Sequence, residues 1–210
     1  MRLSLIGFFL LQAVAWFIAC LFVWYQLGSL VTLPANLLAK AAVGMFFPSW
    51  ADGVEQTGAT LTLLTSLEVS GMAGVPEGMI AVFSPEVGFL KYGYGLPLLI
   101  SLLFASRAKW LFTKAAIGAA TLLPFQVWGV CFDWLKQVAI DTGAAPFPPM
   151  ARELIAFGYQ FGYLVLPTLV PVMLWMAMDK RFFVTFIMEA TMDGALKAEA
   201  GKDAASGKLS

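Results

Sequence analysis

Histidine is absent from all 210 residues. Its absence excludes imidazole ligation of haem, zinc or copper, the Ser-His-Asp and Cys-His nucleophile pairs, and histidine proton relays. Cysteine is nearly absent too, with Cys20 and Cys131 the only two, whereas an iron–sulfur cluster takes four. Charge is scarce at 12% of residues, about half the share of a soluble domain. The 13 basic and 13 acidic residues cancel, so net charge gives no reason to expect a nucleic-acid partner. No cofactor, metal or catalytic residue is expected. What fills the chain is apolar, with 60% of residues hydrophobic. The expected fold class is an all-α integral membrane protein with four transmembrane helices and a small mixed α/β extracytoplasmic segment.

A bilayer core of about 30 Å needs roughly 20 apolar residues in a helix. The expected spans are residues 1–27, apolar from position 3, then 89–106, 110–135 and 154–178. Trp24, Tyr25, Tyr92 and Tyr94 stand near span ends, at the depth where aromatic belts form. The first span starts after Arg2 and contains Ala13-Val14-Ala15, features of a secretory signal. Its apolar run is longer than a signal core of roughly 7 to 15 residues, so the helix is expected to stay. Arg2, then Arg107, Lys109 and Lys114, then Lys180 and Arg181 cluster on one side of these spans. Basic residues near span ends are retained in the cytoplasm, so both termini are expected there. The lipid bilayer is the first expected partner, and the bacterial inner membrane the expected location.

Residues 28–88 form the long outer segment. Pro34 and Pro48 bracket thirteen residues rich in helix formers, predicting a surface helix over 34–47, too short to span. TLTLLTSLEV at 60–69 and MIAVF at 79–83 flank Gly71, Gly74 and Pro76, predicting a β-hairpin over 60–83. Residues 136–153 make the second outer loop, and 179–210 a cytoplasmic tail. Within the tail, Phe182, Phe183, Phe186 and Ile187 share one helical side. From about 197 the tail is small and charged, so disorder is expected.

Polar groups inside a bilayer must be satisfied internally. Gln12, Gln126 and Gln160 sit near mid-depth of three spans, where interhelical hydrogen bonds or a polar cavity would use them. Tyr159 and Tyr163 lie one turn apart around Gln160, followed by Pro167 and Pro171; Pro97 and Pro124 interrupt spans two and three. Asp133 is the one acid inside an expected span, with Lys136 and Gln137 at i+3 and i+4. A local ion pair with Lys136 is the simple expectation, and a general base the sharper one. Cys20 and Cys131 lie at similar depth and are expected to be packed thiols.

LKYGYGLPLLISLLFASRAKW at 90–110 and IAFGYQFGYLVLPTLVPVMLW at 155–175 resemble the exosortase H-associated membrane proteins. The resemblance implies a small multispanning inner-membrane protein of Gram-negative bacteria, beside a sorting transpeptidase that processes proteins with a C-terminal sorting signal. Exosortases are recognised by a Cys-Arg-His constellation; this chain has no histidine, so Cys131 is not carried over as their nucleophile. The expected function is a non-catalytic accessory protein of such a system, with the exosortase or another membrane protein as partner. Two alternatives stay open. One is a structural subunit of another membrane complex, and the other a small enzyme or carrier using a cavity near Gln126, Asp133 and Gln160.

Overall fold

A computed structural model of the chain describes residues 5–69, 80–180, 182–185, 187, 188 and 191. The expected turn at 71–76 and the tail from 192, including its expected disorder, lie outside the described residues. In chain order the elements are α1 (Leu5–Gln26), α2 (Gly28–Phe46), β1 (Ala51–Thr57), β2 (Thr60–Thr65), β3 (Glu68–Val69), β4 (Ala81–Val82), β5 (Glu86–Gly88), α3 (Leu90–Gly93), α4 (Gly95–Ala105), α5 (Leu111–Lys136), α6 (Pro149–Gln160) and α7 (Leu166–Met178). A π turn at Gln137–Asp141 ends α5, and a second at Phe161–Val165 joins α6 to α7.

Among the described residues, four helices are long and apolar enough to cross a membrane: 6–26, 28–46, 111–141 and 149–178. This set differs from the expected one. The 89–106 stretch is instead a broken helix, Leu90–Ala105, whose 16 residues cover only about 24 Å. It breaks at Tyr94, between α3 and α4. Pro97 has no N–H, so the carbonyl of Gly93, four residues earlier, is left without its helical donor.

α4 is short because it is central. It packs against α1, α5 and α7, and every second residue from Gly95 to Ala105 is buried. Leu99 and Leu103 meet Phe9, Leu122 and Trp175 there.

The helix expected over 34–47 begins at Gly28, with Pro34 inside it. Leu27 alone separates α1 from α2, and the two helices barely touch. A helix returning alongside α1 would pack along its length, so α2 turns away from it. Its stripe of Gly28, Thr32, Ala35, Ala39 and Val43 is buried against β1 and α5. Leu30, Leu33, Leu37 and Met45 remain exposed.

The main hairpin pairs β1 with β2, from Ala51↔Thr65 to Thr57↔Thr60. Gly58, at φ +64, opens its two-residue turn, a position that favours glycine. The expected partner of 60–69 was 79–83, and among the described residues that pairing consists of Glu68↔Val82 and Val69↔Ala81. β1 escaped notice because ADGVEQT is polar, with Val54 its one buried residue. β5 completes the sheet on the other side of β2. Leu61, Leu63, Val54 and Val87 press onto Ala39, Val43, Val130 and Trp134 in one core. The sheet thus caps one end of the bundle, the sheet end; the α4–α5 turn lies at the far end.

Candidate functional site

The most polar buried group at the sheet end is the Asp133 carboxylate on α5, only 6% exposed. Its partners arrive from α3, four residues that follow β5 almost directly. The Phe89 N–H donates to Ala59 O at 2.9 Å, fixing where α3 starts. Lys91 Nζ forms an ion pair with Asp133 Oδ2, and Tyr92 Oη donates to the same oxygen at 3.0 Å. Gln137 Nε2 donates to Oδ1 at 3.4 Å and to Glu86 O at 3.1 Å. One carboxylate therefore ties β5, α3 and α5 together. The Lys91 side chain remains 40% exposed, which keeps its ammonium partly hydrated and lowers the cost of burying the pair.

Lys136 does not pair with Asp133 as expected. Its Nζ lies 2.6 Å from Asp141 Oδ2 and 5.2 Å from the centre of the Tyr159 ring. The π turn is the reason, because its i→i+5 repeat stacks Asp141 under Lys136. Tyr159 stacks on Tyr163, with centroids 6.0 Å apart and planes 2° apart. Tyr163 meets the Tyr92 ring edge-on at 6.1 Å. Tyr163 itself lies in the second π turn. Pro167 cannot donate to its carbonyl, and the helix widens there. Asp133, Tyr159 and Tyr163 thus share one neighbourhood, joined by Lys91 and by Tyr92, which the sequence marks only as a span-end residue. The signal that could have found them is a lone acid and a lone lysine at the same end of consecutive spans.

The glutamines do not meet. Gln126 is buried, and its Nε2 donates to Gly93 O at 3.5 Å, reaching the carbonyl that Pro97 leaves free. The void beside it, lined by Tyr92, Leu122 and Pro167 among others, measures about 10 Å³, room for one water at most. Gln12 is half-buried on α1, between Phe9, stacked on Trp175 at 5.4 Å, and Trp16, stacked on Phe104 at 4.6 Å. That places it toward the far end. Gln160 is exposed on α6, because its neighbour Tyr159 occupies the face turned to Tyr163.

Cys20 and Cys131 are free and line separate apolar grooves. Cys20 lies between α1 and α4, Cys131 between α2 and α5. Mild oxidation is expected to leave both thiols unpaired; an intact-mass loss of two hydrogen atoms in a monomer would contradict this placement.

The family model for exosortase H-associated membrane proteins matches residues 3–182. The chain belongs to that family. Comparison with curated proteins and with solved structures finds no match. In this exosortase H-associated membrane protein the matched range takes in α1, α2 and the sheet as well as the two resembling segments. The Asp133 cluster therefore lies wholly inside it. Chemically, that cluster can position elements and present tyrosine rings, with each Asp133 oxygen already accepting from a neighbour.

Proposed function

We propose that the protein is a non-catalytic accessory component of an exosortase H sorting system. In this reading it sits in the bacterial inner membrane with both termini cytoplasmic, and the sheet end faces outward. The observation that carries the non-catalytic reading is that both Asp133 oxygens already accept from neighbours, one of which, Gln137, also bonds Glu86 O of the sheet, and the neighbouring void is too small for a substrate. The family supplies the setting. α2 fits a helix lying in the outer leaflet, with Leu30, Leu33 and Leu37 toward lipid and Ala35 and Ala39 against the sheet side. Tyr163, 41% exposed, and the half-buried Tyr159 offer rigid aromatic faces, the side chains that protein interfaces favour. They are the contact residues for the exosortase in this reading.

The test is affinity isolation from native membranes through a tag on this protein, together with its deletion. Exosortase H is expected to co-isolate, and the deletion strain to accumulate precursors that retain their sorting signal. Tyr159→Ala with Tyr163→Ala is expected to weaken exosortase binding by roughly thirtyfold, about the loss of one contact hot spot. An isolate without exosortase, together with normal processing in the deletion strain, would remove the proposal.

A further inference from the structure

The far end of the bundle carries a second polar site that the accessory reading does not use. The α4–α5 turn is short and sharply folded. Ser106 N–H donates to Leu102 O, Arg107 N–H to Phe104 O and Ala108 N–H to Leu103 O, all at 3.0 Å. Arg107 at φ 51 and Trp110 at φ 60 both adopt the left-handed backbone that L side chains rarely take. Between them stands Lys109. Beside this turn, the end of α7 brings Asp179 and Lys180, and the first turns of α5 bring Lys114. Arg107, Lys109, Lys114, Asp179 and Lys180 line an open cavity of about 560 Å³, with Phe182 as part of its apolar wall.

Among the described residues, four cations face one carboxylate in this cavity, and the carboxylate is already engaged. Asp179 Oδ2 accepts the Ser106 hydroxyl at 2.7 Å, and that hydroxyl oxygen accepts Trp175 Nε1 at 3.3 Å. Lys114 Nζ stands 3.8 Å from Oδ1, a loose pair. Among the described residues, Arg107, Lys109 and Lys180 have no carboxylate within ion-pair distance. α5 adds to the same field, since its N-cap residue Trp110 gives no side-chain cap to the first N–H groups, and a helix start favours an anion. The rest of the wall is largely apolar, from Ala177, Met178 and Phe182.

We propose that this cavity binds the phosphate of an anionic phospholipid. The cations and the helix start take the phosphate, and the apolar wall of Ala177, Met178 and Phe182 takes the glycerol and the first methylenes of the chains. A free phosphate ion would leave that apolar wall unused. Basic cavities between helices at the cytoplasmic surface suit such headgroups. The inference rests on the proposed bilayer placement, and on its orientation only for the leaflet that supplies the lipid. The turn then acts as a lipid-held anchor for the inner ends of α4, α5 and α7.

The full chain is placed in nanodiscs of phosphatidylcholine containing graded phosphatidylglycerol, and the lipid it retains is read by native mass spectrometry. One tightly held phosphatidylglycerol per protein is expected, with phosphatidylcholine not retained. Lys109→Gln and Lys180→Gln are each expected to reduce retention by about fivefold, the loss of one cation near an anionic surface. Lys40→Gln, on α2 at the sheet end, is expected to change nothing. Equal retention of the two lipids, an undiminished adduct in the Lys109→Gln/Lys180→Gln variant, or an equal effect of Lys40→Gln would overturn the site. Displacement of the lipid by millimolar inorganic phosphate would overturn the lipid as its occupant. Maleimide labelling of Lys109→Cys, in a chain with Cys20 and Cys131 replaced by serine, reports orientation separately. Labelling from the outside of intact cells would reverse the proposed topology and leave the lipid result standing.

Discussion

Gly129→Leu is expected to abolish the assembled bundle. At Gly129 the α5 backbone passes directly under the Tyr92 ring, and a side chain there would enter that ring. Tyr92 cannot step aside, because its hydroxyl is held by Asp133 at 3.0 Å and its ring is lodged edge-on against Tyr163. On the other side of the same glycine, a Cβ at Gly162 would come within 2.9 Å of the Gly129 Cα, so the two backbones touch. Small residues at helix crossings allow this approach inside membranes, where packing replaces the hydrophobic drive between helices. Gly162→Ala is expected to destabilise by about 1–3 kcal/mol, the usual cost of overpacking. Gly44→Ala is the control. It lies in α2 with nothing within 4 Å of a new Cβ, so alanine is expected to stabilise by about 0.5–1 kcal/mol through helix propensity. Thermal unfolding and gel filtration in mild detergent read all three. A monodisperse Gly129→Leu protein melting with wild type would show that the helices do not cross here.

The second large effect is an asymmetry within one ion pair. Lys91→Met is expected to cost about 3 kcal/mol, and Asp133→Asn only about 1 kcal/mol, because removing the cation strands a buried charge whereas removing the acid does not. The Asp133 side chain is 6% exposed and that of Lys91 40%. Without Asp133 the ammonium turns to water, and the asparagine oxygen still accepts from Tyr92. Without Lys91 the carboxylate keeps only the neutral donors Tyr92 and Gln137. The double variant Lys91→Met/Asp133→Asn is expected to melt close to Asp133→Asn alone, since no buried charge is left. Equal losses for the two single variants would place the pair at the hydrated surface. Because Gln137 also bonds Glu86 O, both losses are expected to loosen β5, visible as faster amide exchange at Val87 and Gly88.

Much of this architecture was legible in the chain. Apolar runs at 6–26, 111–135 and 154–178 follow from mean composition over a bilayer-length window, and the two resembling segments pointed to the family that the match over 3–182 establishes. The helix around Ala35 to Phe46 and the strand at 60–65 were visible from helix formers and β-branched residues. The strand at 51–57 was not, because Asp52 and Glu55 are exposed and the polar Gln56 stands beside Val54 on the core side, bonded to Ser29 O and Gly58 O, which leaves no hydrophobic period to read. Nor was the break at Tyr94 placed correctly. Proline acts on the carbonyl four residues before it, so Pro97 makes itself felt at Gly93.

The candidate site shows the same division more sharply. Asp133, Tyr159 and Tyr163 stood out because polar groups in apolar helices need partners. Which partners they take was decided by chain crossings of 40 residues or more, such as that from Tyr92 to Asp133. By itself the sequence determined that this protein is membrane-type, helical and without imidazole side chains, since those properties are sums over residue types. Only the tertiary structure decided that Asp133 takes Lys91 in place of Lys136, that Gln126 meets a carbonyl freed by proline while Gln160 faces outward, and that Arg107, Lys109, Lys114 and Lys180 gather at one cavity. Pairing depends on which helix faces cross and how closely their backbones approach, and a one-dimensional pattern carries the faces without the crossings.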